Sequence, residues 1–100
     1  MAKYVLVYQG GSMAETEEAQ QAAIAAWGEW FGSLGSAVVD GGAPFGPSAA
    51  VGGGASRTGL TGYSILRADD LDGAVQLAAG CPIVADGGTV DVYEAIDVGA

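Results

Sequence analysis

No histidine occurs anywhere in this 100-residue chain. That removes the usual general base near neutral pH, every Ser-His or Cys-His nucleophile pair, and any His-ligated metal. Cysteine is almost as scarce: Cys81 stands alone, which excludes an internal disulfide and a thiolate metal cluster. The cations are Lys3, Arg57 and Arg67, against 12 acidic residues, for a net charge of −9. Three cations make no basic patch able to displace phosphate counterions, so nucleic acid and anionic membrane surfaces are not expected as partners. No segment approaches the ~18 continuous apolar residues of a membrane span, and no charged leader precedes an apolar run. The expectation is a soluble, cytoplasmic protein with no metal and no cofactor.

Large apolar side chains are also few. The hydrophobic class makes up 50% of the chain, but 19 of those residues are Ala, and a further 18 residues are Gly. A chain of this length supports one core, so residues 1–100 read as a single domain. Diluted by small residues, that core is thin, and a partner surface is expected to complete its burial.

What is present falls into ordered segments. Lys3 to Tyr8 is a β-branched and aromatic run closed by glycines, apolar on both alternating faces, as in a central strand. Ser12 with Glu15 has the form of a capping box, and Glu15, Glu17 and Glu18 suit the positive end of a helix dipole. The helix runs to about Leu34, with Ile24, Trp27, Phe31 and Leu34 as its apolar stripe, Ala23 widening it, and Gly35 as its stop. Trp30 lies off the centre of that stripe and is expected to be partly exposed or packed on a partner. Ala37 to Asp40 reads as a second strand, Ala43 to Thr58 as a loop or loose hairpin, and Gly62 to Ala68 as a third strand. Asp69 is placed to cap a second helix whose buried stripe is Leu71, Ala74, Val75 and Ala78, with Gly80 as its stop and Pro82 forbidding continuation. Thr89 to Ile96 alternates with the period of a half-buried strand.

The order strand, helix, strand, strand, helix, strand is that of an α+β, ferredoxin-like βαββαβ fold, an antiparallel sheet with both helices on one face. The other face, assigned Tyr8, Tyr63 and Tyr93, lies open unless a second subunit covers it, so a homodimer is expected.

With these segments placed, the chain resembles the YCII-related domain proteins over about residues 2–97. The motifs that carry the resemblance are AAWGEWF, VDGG-x-P, the GYSIL…ADDLD strand-to-helix junction, and GCP followed by GGTVDV. The resemblance implies a dimeric α/β barrel, in which ferredoxin-like subunits pack sheet to sheet around a small cavity. Some relatives are enzymes acting on small organic molecules, including a dechlorinating type with a His and Asp pair. A larger branch carries a DGPF-containing hairpin where this chain has VGGGASRTG, and many relatives carry His where this chain has Asp86 before Gly87 and Gly88. Catalysis that depends on that His does not transfer to this chain.

Two carboxylates are the candidate acid and base groups. Asp40 in VVDGG and Asp86 in ADGG can face a cavity, where apolar surroundings favour proton exchange near neutral pH. Each can equally be a turn residue bonding the amides of the glycines after it. Tyr8, Tyr63 and Tyr93 offer an apolar body with a donor for a small ligand, or simple packing at core or interface. Arg67 and Arg57 can read a substrate carboxylate or pair with surface acids. Cys81 reads as a small buried apolar residue. The glycines give no P-loop, since no Lys and no helix follow Gly52 to Gly54, and glutamates after Gly10 and Gly11 would repel phosphate. The expected function is binding, and cofactor-free acid/base transformation, of a small organic molecule in a cavity; the alternative is a non-catalytic binding or regulatory homodimer.

Overall fold

A computed structural model describes residues 2–10, 16–54 and 59–97. Its elements are β1 (Ala2–Gln9), α1 (Glu17–Leu34), a 3-10 turn (Gly35–Ala37), β2 (Val38–Pro44), β3 (Leu60–Ala68), α2 (Leu71–Ala78), α3 (Pro82–Ala85) and β4 (Thr89–Ala95). The strands form one sheet in the order β2-β3-β1-β4, with every neighbouring pair antiparallel. This is the ferredoxin-like arrangement, with β1 central as its two apolar faces require.

Period-two alternation divides the sheet cleanly. Tyr4, Leu6 and Tyr8 of β1 and Ser64, Leu66 and Ala68 of β3 are buried, and they cluster with Trp30, Ala74, Ala78, Cys81 and Ile83 from the helical layer. The intervening Val5, Val7, Tyr63 and Ile65 lie on the opposite face and are half-buried. Tyr8 therefore faces the helices and not the open side assigned to it above. Strand parity decides this, because Tyr8 shares the register of Tyr4 and Leu6.

Thr16 caps α1, its hydroxyl accepting from the Ala19 N–H at 3.1 Å; the box sought at Ser12 and Glu15 lies outside the described residues. Gly35 stops the helix as expected, with φ 56° and its N–H returned to the Phe31 carbonyl. The buried stripe is rotated from the expected one. Trp30 is buried at 7% exposure, whereas Ile24 is 72% exposed. The cause is α3, a separate turn of helix that Pro82 opens after α2 has ended at Ala78, packing against α1 on the side of Trp30. The Trp30 indole N–H donates to the Leu77 carbonyl at 3.1 Å, tying α1 to α2.

The α2 cap is Asp70 and not Asp69: its Oδ1 accepts from the Gly73 N–H at 2.7 Å. Ala74 and Ala78 are buried as expected, but Leu71 and Val75 are each 48% exposed. Small residues let α2 sit close to the sheet, and the longer side chains are turned out beside β4, where they line a groove with Val84 and Val92.

β2 continues past Asp40 to Pro44 through irregular pairing with β3: Val38 lies opposite Leu66, Asp40 opposite Ile65, Ala43 opposite Tyr63 and Pro44 opposite Gly62. Gly42 makes this bulge possible. Its φ is 78°, and a Cβ there would lie 1.7 Å from the Tyr63 carbonyl oxygen. Gly41 has nothing within 4 Å of an added Cβ. Replacing Gly42 by Ala is therefore expected to cost at least about 1 kcal/mol in denaturant unfolding, while Gly41→Ala stays within about 0.5 kcal/mol. Equal effects of the two would show that the bulge is not glycine-dependent.

Candidate functional site

The bulge leaves a gap between β2, β3 and the C-terminal half of α1. It is a pocket of 380 Å³. Its walls come from Tyr8 on β1, Trp27 and Phe31 on α1, Ile83 on α3, the Gly41–Pro44 segment of β2, and residues 61–64 of β3. Trp27 and Phe31 are four residues apart and so share one side of α1. Their rings are 5.9 Å apart, and Tyr8 meets Trp27 edge-on at 5.1 Å and 76°. Gly62 keeps the gap open on the sheet side, since a Cβ there would press on the Ala43 carbonyl at 3.0 Å.

A chain of hydroxyls crosses this site. The Tyr8 hydroxyl donates to Ser64 Oγ at 2.6 Å, and Ser64 Oγ donates to the Gly41 carbonyl at 2.8 Å. Ser64 is fully buried and Tyr8 is 5% exposed. Burial pushes the Tyr8 phenol up to about 12, against the opposing pull of its Ser64 hydrogen bond. It is therefore an uncharged phenol through the physiological range.

The residues singled out from sequence are distributed around this pocket rather than gathered in it. Asp40 is exposed, and its Oδ1 accepts from the Gly42 N–H at 2.8 Å, the turn bond that Asp before paired glycines can form. Asp86 follows α3 as its C-terminal cap and lines a second, 870 Å³ groove with Glu29 and the alanines 19, 22, 23 and 26 of α1. Neither the pocket nor this groove has both carboxylates in its wall. Tyr8 is in the pocket wall. Tyr63 borders it from β3 while its ring stacks on Phe45 at 5.9 Å and 18°. Tyr93 and Arg67 lie on the open face of the sheet, opposite Val5 and Lys3 respectively. Arg57 lies outside the described residues. Cys81 is buried, and burial raises its thiol to about 11, so it has little thiolate character. Among the described residues no group of three His, Cys, Asp or Glu side chains is placed to hold a metal ion.

Ser64, Trp27, Phe31 and the glycines at 41, 42 and 62 are the parts of the site that sequence reading left out. Ser64 had a signal: it is the one hydroxyl in register with Leu66 and Ala68, on the face that must be buried, and a buried hydroxyl needs partners.

A family model described as the YCII-related domain matches residues 1–98. No curated protein and no solved structure matches the chain significantly.

The raised Tyr8 phenol has a consequence at high pH. The native state holds the proton up to about 12 whereas an unfolded tyrosine releases it near 10.0, so the stabilisation is complete below the lower value and is lost as pH rises through the upper one. Tyr8→Phe is expected to flatten the fall in unfolding free energy across that interval. Parallel curves for wild type and variant in denaturant titrations would show that Tyr8 is not held this way.

Proposed function

The chain belongs to the YCII-related domain family, and on that premise we propose that it is a homodimer that binds a small organic molecule in the pocket between α1 and the β2–β3 bulge. The observation that carries this reading is the pocket itself, 380 Å³ of space walled by Tyr8, Trp27 and Phe31 and crossed by one fixed hydroxyl chain. Apolar walls with a few directed polar groups are the usual make-up of a small-molecule site. Neither Asp40 nor Asp86 is in that wall, so the reading is of binding rather than proton transfer. An acid/base role for Asp86 is a separate proposal, placed in the larger groove that it shares with Glu29; Asp40 would act only indirectly, and at the 380 Å³ pocket, by holding the turn at Gly42 that borders it.

The partner follows from the open face. Val5, Val7, Tyr63 and Ile65 form a contiguous apolar patch across β1 and β3, with Tyr93 alongside on β4. A second copy laid on this patch completes the thin core. Charge favours the same occupant: Lys3 and Arg67 are directly opposite each other, an unfavourable like-charge pair, while Asp91 is opposite Val7 further along the same face. A two-fold axis running across the strands brings the cations of one subunit toward the end of the sheet that carries Asp91 in the other.

Both parts are testable. Light scattering should give twice the 9.8 kDa chain mass, and Ile65→Glu should give a folded monomer; a wild-type monomer at micromolar concentration ends the dimer proposal. In a thermal-shift screen, a ligand at tenfold its Kd adds about 1.4 kcal/mol of stability, a rise of several degrees for a domain of this size. Trp27→Leu should abolish the shift. Hits that act equally on that variant bind elsewhere.

A further inference from the structure

Resting on the reading that the pocket between α1 and the bulge binds a small molecule, we infer that its ligand is an organic amine, selected over a carboxylate of the same shape. The direction of the hydroxyl chain is the first ground. The Gly41 carbonyl can only accept, so Ser64 gives its proton to Gly41, and the Ser64 oxygen takes the proton of Tyr8. Tyr8 Oη is thereby left with lone pairs and no proton to offer. A ligand N–H finds an acceptor there, and a ligand carboxylate finds another acceptor.

Charge and ring chemistry select in the same direction. Among the described residues the pocket wall contains no Lys or Arg. Lys3 and Arg67 belong to the opposite face of the sheet, separated from the pocket by the sheet itself. A carboxylate entering would be desolvated with no cation of the described residues beside it, which is a large cost. An ammonium instead meets the π systems of Tyr8, Trp27 and Phe31, which attract cations. The chain's net charge of −9 raises the local concentration of cations and lowers that of anions.

The test uses three probes sharing one ring system: tryptamine, indole-3-acetate and 3-methylindole, titrated by calorimetry into the full chain. Tryptamine should bind at least about tenfold more tightly than indole-3-acetate, a gap of about 1.4 kcal/mol. Tyr8→Phe should weaken tryptamine about fivefold or more and weaken 3-methylindole much less, because the ring stays while the oxygen that accepts the ligand N–H is lost together with its hydrogen bond to Ser64. Ser64→Ala returns the phenol proton to the pocket and should narrow the gap between amine and carboxylate. An amine preference that vanishes in about 0.5 M salt belongs to the whole-chain field and overturns the inference. So does one that is unchanged in both variants, or tight binding of indole-3-acetate. If 3-methylindole binds and the preference is absent, the pocket stands and its selectivity does not; if no probe and no member of a wider fragment screen binds, the pocket reading itself fails.

Discussion

Ser64 is the residue on which the site depends. A hydroxyl fully removed from water must find both an acceptor for its proton and a donor for its oxygen, or forfeit about 1–3 kcal/mol. It finds them in different strands: Gly41 on β2 accepts, Tyr8 on β1 donates. One side chain on β3 therefore joins three strands on the helix-facing side and fixes where the β2 bulge lies relative to the phenol. Asp40 secures the same bulge from its own side by holding the Gly42 amide. The pocket is the space that this bulge cannot fill.

The abundance of small residues has a definite mechanical use within this frame. Ala74 and Ala78 let α2 lie against the sheet, and Gly80 lies beside the Trp30 ring, where an added Cβ would make ordinary van der Waals contact at 3.4 Å. At Gly42 and Gly62 the missing side chains let β2 and β3 approach where any Cβ would be crowded by backbone. Close approach of thin elements gives a compact helical layer but little apolar mass. Burial is then concentrated in a few large residues, Tyr4, Leu6, Trp30 and Leu66, and among the described residues no helix covers the far side of the sheet.

Element order, strand parity and the stop at Gly35 were legible in the sequence because each rests on a local rule: alternation, amphipathic spacing, or the freedom of glycine at positive φ. Parity also places Tyr8 on the helical side, in register with Tyr4 and Leu6. Three features were not legible because their causes are non-local. Trp30 is drawn inward by α3 and by the Leu77 carbonyl, 47 residues away in sequence. The bulge in β2 depends on Tyr63 and Ser64, which no pattern within VVDGGAP reveals. The pocket arises from the absence of side chains at residues 41, 42 and 62, and a gap is visible only when the surrounding elements are in place. Asp40 and Asp86 are the ionisable groups of two Gly-rich turns, yet what defines the pocket is a pair of uncharged hydroxyls.

The two proposed activities, assembly and binding, occupy opposite faces of one sheet, and β1 contributes to both by alternation. Tyr8 goes to the pocket; Lys3, Val5 and Val7 go to the open face. The separation explains how Arg67, which a sequence reader would assign to a substrate carboxylate, comes to be out of reach: it shares a strand with Ser64 but differs from it in parity. A one-residue slip of a strand would exchange the two sets, putting cations into the aromatic pocket and tyrosines onto the interface. The hydroxyl chain opposes such a slip, because Ser64 has its partners in only one register. The same interaction that shapes the pocket thus also determines which residues are left to meet a second subunit.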